Sequence, residues 1–355
     1  VKASVVVINY NGLEHLGTCF DALARQTARD FEVVLADNAS TDGSVEFVRA
    51  RYPWVRVMCN PENLGFAAGN NAAAATCQAE YLVFLNNDTA VAPNWLEELL
   101  RAAGSDPQIG IATGNLRSFE RPDQEIDALC DVTLFGLARA RPPHPESTPP
   151  VQDVFFAPGF CLLIRRDLFD VLGGFDEVYF MILEDLDLCL RAALRGWRIV
   201  RAEHAVVYHK FGGSLPGSSP VGDCPRMPYF TSPRRRYLAE RNAQRTLLKT
   251  YRWTKLLTLA PRYIALWLAE CGYFVLRGRF DFVRAHLAAV GWNIAHLRDT
   301  LQRRAEVQRT RLISDRALQR LMVRGSLKLA LAARVIFRLP PRRADEGCNE
   351  TLLVG

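Results

Sequence analysis

Short apolar runs alternate with helical patterns through the first hundred residues. Val5-Val6-Val7-Ile8, Phe31 to Ala36, Val55 to Met58 and Tyr81 to Leu85 read as strands, with helices over Leu13 to Leu23, Ser44 to Arg51 and Ala67 to Ala75 between them. Strands apolar on both faces and separated by helices belong to a largely parallel sheet covered on two sides, so the fold class is α/β. Another helix starts near Pro93 and ends by Gly104. The stretch 119–150, rich in Pro, Arg and Glu, reads as a long insertion near the site. Order returns with the run Val154 to Ile164, interrupted by Pro158-Gly159, and with a helix over Glu184 to Leu194 that Gly196 closes. From Tyr237 onward the period is helical. Leu256 to Leu276 is long enough to cross a bilayer, but Pro261, Arg262 and Glu270 interrupt it, which favours a peripheral arrangement.

Composition sharpens this division. With 355 residues of which 49% are hydrophobic, burial can outweigh the entropy of ordering the chain, and wholesale disorder is excluded. The net charge of +6 conceals a split: residues 234–343 carry 25 Lys and Arg against 6 Asp and Glu, leaving the rest of the chain acidic. The expected organisation is a catalytic domain over 1–233, a basic, aromatic-rich helical region over 234–343 and a tail over 344–355. Tyr263, Trp267, Tyr273, Phe274, Phe280, Phe282 and Trp292 lie amid arginines, which suits helices resting on an anionic bilayer surface. A bundle packed on the catalytic domain, or a homo-oligomer interface, is the alternative. No recognised nucleic-acid module accompanies the charge, so nucleic acid is not an expected partner. Nine cysteines without CxxC pairs read as free, mostly buried thiols of a reducing compartment, and the N-terminal run lacks a signal-cleavage pattern and reads as the first strand. The expected location is cytoplasmic, on the inner face of the plasma membrane.

Ligands in such sheets bind beyond the carboxyl ends of the strands, where three polar clusters fall: Asn9-Tyr10-Asn11-Gly12, Asp37-Asn38-Ala39-Ser40 and Asn86-Asn87-Asp88-Thr89. Each alone is ordinary turn chemistry; three in register are not. Asp88, with Asn86 two residues earlier on the same side, would form a lightly charged site for a Mg²⁺ or Mn²⁺ ion that also takes diphosphate oxygens. Glu184-Asp185-Leu186-Asp187 places three acids at a helix start, more than capping requires. Asp185 is the candidate general base for an incoming hydroxyl. His209 follows an apolar run and precedes a Gly-rich segment; a neutral imidazole there could complete the metal shell while the segment closes over the diphosphate.

VVVINYNG at 5–12, VVLADNASTDGS at 33–44, NPENLGFAAGNN at 60–71, YLVFLNNDTAV at 81–91, GGFDEVYFMILEDLDLCLRAALRGWRI at 173–199 and VVYHKFGGS at 206–214 together resemble the inverting glycosyltransferases of family 2, and most of all their rhamnosyltransferase-type branch. The resemblance covers the N-terminal two-thirds. It implies a GT-A type nucleotide-diphospho-sugar transferase sandwich with a mainly parallel central sheet. It also implies a nucleotide-sugar donor, dTDP-rhamnose or a UDP-sugar, and a lipid-linked glycan or polysaccharide acceptor. The resemblance further implies that Asp37 and Asn38 contact base and ribose, that Asn9 lines the pocket, and that Asn63, Gly65 and Asn70 shape it. Asp185 then matches the base, Glu184 contacts acceptor or sugar hydroxyls, and Asp88 and His209 hold the metal. Asn86-Asn87-Asp88 departs from the family's Asp-x-Asp pattern, which leaves Asp88 as the firm ligand. Two other classes compete: a metal-dependent nucleotidyltransferase, which predicts a basic phosphate loop after the first strand that Asn9-Tyr10-Asn11-Gly12 does not supply, and a non-enzymatic scaffold for membranes or partner helices, in which Asp88, Asp185 and His209 need not converge.

Overall fold

The computed structural model describes residues 1–119, 129–135, 138–140, 149–210 and 232–322. The first half runs β1 (Ala3–Asn9), α1 (Leu13–Ala24), β2 (Phe31–Asp37), α2 (Ser44–Arg51), β3 (Arg56–Cys59), α3 (Gly65–Ala75), β4 (Tyr81–Asn86), β5 (Thr89–Val91) and α4 (Trp95–Gly104). The sequence continues with β6 (Ile109–Ser118), β7 (Leu129–Val132), β8 (Ala138–Ala140), β9 (Val151–Val154), β10 (Cys161–Arg165), α5 (Arg166–Leu172), α6 (Glu184–Leu194) and β11 (Arg198–His209). Five helices follow: α7 (Pro233–Thr250), α8 (Trp253–Leu276), α9 (Phe280–Ala295), α10 (Leu297–Arg309) and α11 (Asp315–Arg320).

The main sheet is ordered β3-β2-β1-β4-β10-β6-β11-β5, with β9 beside β11. Its first four strands are parallel, as the alternation of strands and helices predicts. Beyond β4 the sheet is mixed, because β10 enters antiparallel between β4 and β6 while β11 again runs parallel to β6. Val5, Val6 and Val7 are fully buried, so both faces of β1 are covered and the unbroken apolar run is the expected signature of a central strand. The insertion at 119–150 contributes the β7–β8 pair among the described residues. Cys19, Cys77, Cys161 and Cys189 are free and buried, in keeping with the expectation of unpaired thiols.

The α7 helix begins as capping rules favour, with Pro233 in its first turn and the Ser232 hydroxyl accepting from the Arg235 N–H. It packs against α6, and α9 and α10 cover it, so the basic sequence of α7 runs through the interior. Asp187 is held by Arg191 Nε at 2.7 Å and Lys249 Nζ at 2.8 Å, and Lys249 also reaches Asp176 at 2.6 Å. Arg245 joins Asp176, Asp299 and the Thr300 hydroxyl, tying α7 to α10. Burial pushes the Asp176 carboxyl up, but Lys249 and Arg245 outweigh it and hold the group well below the usual carboxylate range.

One expectation about the helical region is corrected. The aromatic side chains do not form an outward face: Phe274 and Phe282 are buried, Tyr263 packs on the core, and Phe280 is the exposed one of the set. What faces outward is chiefly aliphatic, with Leu257, Ile264, Leu268 and Val275 along one stripe of α8 and Leu287 and Ile294, behind the aromatic Phe280, along α9. In the first turn of α7, Arg234 is exposed while Arg236 is buried with its guanidinium 3.0 Å from Glu270. Helix α8 also runs unbroken through Pro261, and among the described residues no helix is long and apolar enough to cross a membrane. The Gly-rich segment after Lys210 and the tail over 344–355 lie outside the described residues.

Removing one member of a buried ion network strands its partners, at about 3–5 kcal/mol. Lys249→Met should therefore lower the urea midpoint by a shift of that order. A midpoint equal to the parent's would show that Asp176 and Asp187 need only Arg245 and Arg191.

Candidate active site

Parallel register brings the strand-end residues together. Asn9 pairs with Asp37 across β1 and β2, and Ile8 pairs with Asn86 across β1 and β4, so the polar residues that end three apolar strands share one sheet edge. Asn9 Nδ2 donates to Asp37 Oδ1 at 2.9 Å, and Asn87 Nδ2 donates to Asn9 Oδ1 at 2.6 Å. Ser40 donates to Asp37 through both its backbone N–H and its hydroxyl. Asn38 ties two loops, donating to the Gly65 carbonyl and accepting from Asn60. Asn63 Oδ1 accepts from the Gly65 N–H and so shapes the start of α3, while Asn70 Nδ2 donates to the Phe66 carbonyl and its buried Oδ1 has no hydrogen-bond partner. A Cβ on Gly12 would lie 2.1 Å from Asn87 Nδ2 and one on Gly69 within 2.8 Å of Asn38 Oδ1, so both glycines are required by close approach.

Strand β11 delivers His209 to the same edge. Its last residue pairs with Thr89 of β5, and the Lys210 N–H donates to the Asp88 carbonyl. His209 Nε2 lies 3.1 Å from Asp88 Oδ1 and 3.4 Å from Asn86 Nδ2, and all of Asp88 and most of Asn86 are enclosed by protein. The Phe160 ring stacks on the imidazole at 4.8 Å. A divalent cation fits this donor set: a carboxylate oxygen and an imidazole nitrogen converge, and the buried Asn86 Oδ1 has no hydrogen-bond partner.

The acidic helix start sits one residue along from that stack. Asp185 Oδ2 accepts from the Gly159 N–H at 2.7 Å and Oδ1 from the Leu186 N–H at 2.7 Å, so the neighbour of Phe160 holds the carboxylate. A Cβ on Gly159 would meet Phe66 at 2.8 Å, which explains the Pro-Gly break in an otherwise apolar run. Asp185 keeps a partly exposed edge, as a base must, yet burial still outweighs the two backbone N–H bonds and pushes its carboxyl up to about 6. Burial and the adjacent Asp185 push the Glu184 carboxyl well above its ordinary value, and its Oε2 is buried without a hydrogen-bond partner. Asp187, two residues on, faces the other way into the Lys249 and Arg191 cations. The structure thus brings Asp88, His209 and Asn86 into contact, and joins Asp185 to them through Gly159 and Phe160.

Backbone strain precedes the acids. Phe180, Ile182 and Leu183 adopt φ of 63°, 74° and 69°, left-handed values that a β-branched residue such as Ile182 rarely takes. Sequence reasoning missed this segment, the stacking role of Phe160 and the α7 residues that touch the segment. Of these, only the Pro158-Gly159 break left a signal in the sequence.

A second acid-histidine group lies away from the sheet edge, where Glu240, Glu270 and His286 from α7, α8 and α9 bring ligand-type atoms within 4.8 Å of one another. The Arg236 guanidinium at 3.0 Å from Glu270 already supplies positive charge there. The group therefore reads first as a clasp between helices.

The family model described as glycosyl transferase family 2 matches residues 4–173. The chain is 31% identical over 232 residues to the N-acetylglucosaminyl-diphospho-decaprenol L-rhamnosyltransferase of Mycobacterium tuberculosis, spanning 58% of this chain and 75% of that protein. It is 30% identical over 234 residues to the O-antigen biosynthesis protein RfbC of Myxococcus xanthus, spanning 62% of this chain but 18% of that protein. Among solved structures it is similar in fold to GalNAc-T7 crystallised with UDP, GalNAc and Mn²⁺, with a TM-score of 0.58 at 18% identity over 74% of this chain and 50% of that one. It is likewise similar to S. aureus TarS 1-349 in complex with UDP-GlcNAc, with a TM-score of 0.56 at 16% identity over 94% of this chain and 87% of that one.

The raised Asp185 pKa has a signed consequence for stability. Between about 4 and 6 the folded protein holds a proton that the unfolded chain releases, so the associated stability is full below pH 4 and is lost as pH rises through 6. Asp185→Asn should leave stability nearly unchanged at pH 4 and raise it at pH 7 by about 1–2 kcal/mol, allowing for solvent screening at its exposed edge. Urea titrations at both pH values measure this. A variant less stable than the parent at pH 7 would mean that the two backbone bonds, not burial, dominate.

Proposed function

The chain belongs to glycosyl transferase family 2, and from that premise we propose that it transfers L-rhamnose from a dTDP-linked donor, with inversion, to a sugar hydroxyl of a lipid-linked glycan. The observation that carries the reading is the convergence of Asp88 and His209 at 3.1 Å beside a carboxylate held by the neighbour of the His209-stacked Phe160. The coarser statement, a sugar-transferring enzyme with a GT-A fold related to mycobacterial rhamnosyltransferases, follows from family and fold together. The rhamnose and the lipid-linked acceptor are inferred from what the Mycobacterium tuberculosis relative is called.

In this mechanism Asp37, fixed by Asn9 and Ser40, contacts the nucleoside, and Asn63, Gly65 and Asn70 shape the pocket around it. Asp88 and His209, with Asn86 beside them, hold a Mg²⁺ or Mn²⁺ ion, which when bound neutralises charge on the diphosphate. Asp185 accepts the proton of the acceptor hydroxyl as that oxygen bonds to the anomeric carbon and the carbon–oxygen bond to the nucleoside diphosphate breaks. Glu184 contacts an acceptor or sugar hydroxyl at its otherwise unpartnered edge. The general base works only when ionised, so turnover falls as pH drops through about 6.

The outward aliphatic stripes of α8 and α9 are proposed to rest on an anionic bilayer that carries the acceptor. Leu257 and Ile294 are 73% and 69% exposed, and the exposed Arg262, Arg277 and Arg284 border the stripes.

A screen of nucleotide sugars with Mg²⁺ or Mn²⁺ tests the class and the donor together; transfer from dTDP-rhamnose is expected. With that donor, Asp185→Asn should keep nucleotide affinity while turnover falls by roughly two orders of magnitude or more. Near-parental transfer would remove Asp185 from the base role. Flotation with anionic vesicles should recover the full chain. Ile264→Glu with Leu268→Glu should abolish recovery, and Arg262→Gln with Arg277→Gln should weaken it by about 1 kcal/mol each at low salt. A parent chain that ignores such vesicles ends the membrane reading.

A further inference from the structure

The segment that leads into Glu184 and Asp185 is gripped from α7. Asn242, fully buried, donates through Nδ2 to the carbonyls of Ile182 at 2.6 Å, Met181 at 2.9 Å and Tyr179 at 3.2 Å. Its Oδ1 accepts from Arg241 Nε at 2.8 Å, which fixes the orientation of the amide: the end facing a guanidinium must be oxygen, so the end facing three carbonyls must be nitrogen. Arg241 Nη2 adds bonds to the Val178 and Tyr179 carbonyls at 2.9 and 2.7 Å. On the next turn of α7, the Thr246 hydroxyl meets the Tyr179 hydroxyl at 2.6 Å, and that hydroxyl also donates to Asp187 in the first turn of α6.

These contacts fall where the chain has least freedom. Phe180, Ile182 and Leu183 are left-handed without being glycine, and Leu183 is the residue from which α6 starts. Carbonyls in such a stretch cannot all find partners within their own segment, and Asn242 collects three of them at one point. An isosteric carboxylate there would face the same oxygens with no hydrogen to offer.

We propose that Asn242 is the positioning residue that holds segment 179–183 in its left-handed course and thereby aims Glu184 and Asp185 into the cleft. The proposal rests on the glycosyltransferase reading above for its kinetic arm alone. Asn242 touches neither donor nor acceptor; it acts through the backbone before α6.

The test compares Asn242→Ala with Asn293→Ala in the full chain. Asn293 is a buried amide of α9 whose Nδ2 donates to the Arg241 carbonyl, so its loss loosens α9 from α7 without touching the segment. Two readouts are taken: donor KM and kcat, and backbone amide hydrogen exchange over 180–187. Asn242→Ala should lower kcat at least tenfold, within the range that a positioned acid–base group supplies, with donor KM within about twofold of the parent. Exchange over 180–187 should accelerate at least tenfold, while Asn293→Ala leaves both near parental values. Should the alanine variant fail to fold, Asn242→Ser, uncharged and too short to reach the three carbonyls, carries the comparison with the same expectations. Parental exchange over 180–187 in the Asn242 variant, or an equal kcat loss in Asn293→Ala, overturns the proposal. If the parent transfers no sugar from any nucleotide donor, the functional reading falls, and the exchange experiment still decides the role of Asn242.

Discussion

One carbonyl joins the two halves of the site. The Phe180 oxygen accepts from the Phe66 N–H at 2.6 Å and the Ala67 N–H at 3.2 Å, so the start of α3, shaped by Asn38 and Asn63, is bonded to the segment that carries the acids. Gly65 makes the junction feasible: its φ is 76°, and a Cβ there would lie 2.5 Å from that same oxygen. The junction depends in turn on the left-handed residues around it, each of which costs on the order of 1–3 kcal/mol. Two charge-assisted bonds from Arg241, at about 1.5–3 kcal/mol each, and the Asn242 bonds, at about 1 each, are of matching size. Helix α7 is thus part of the site's construction, although it lies far along the chain from the strand ends.

The same region shows how environment divides four acids among different tasks. Asp176 and Asp187 face Lys249 with Arg245 or Arg191, and both are held below their ordinary range despite burial. Glu184 is buried and Asp185 half-buried, neither has a paired cation among the described residues, and both are raised. Charge on the first pair ties the helices together, and the proposed base, Asp185, belongs to the second. Within α6, position along the helix decides which side each acid faces. Asp187 points back into α7 and the Tyr179 hydroxyl, whereas Asp185, two residues earlier, turns toward Gly159 and the sheet edge.

What could be read from the sequence follows from how local its causes are. The junction of Asn9, Asp37 and Asn86 was legible because each ends an apolar run of a strand, and parallel pairing matches such ends one to one. The residues alone offered His209 as one candidate ligand, and the family resemblance paired it with Asp88, since the strands that carry them are more than a hundred residues apart. Asn242 was invisible: a single amide in a basic helix has no pattern, and its importance comes from carbonyls sixty residues away. The left-handed course of 180–183 was hidden for the opposite reason, because Phe, Ile and Leu are residues that ordinarily argue against it.

The helical region shows why composition misled about orientation. Basic and aromatic residues suggested an outward amphipathic face, yet Arg236, Arg241, Arg245, Lys249 and Arg304 are buried, bonded to carboxylates or backbone carbonyls. An arginine can be buried where several acceptors meet its fork, and it brings its aliphatic stem into the core with it. Packing α7 between α6, α9 and α10 consumed those five charges, and aromatic rings filled in around them, with Arg241 stacked on Trp292 at 4.8 Å and Arg236 near Phe274. The plain aliphatic residues were left at the surface, spaced along the helices as one stripe each. A count of charges therefore says less about which face a helix presents than the number of acceptors waiting for those charges inside.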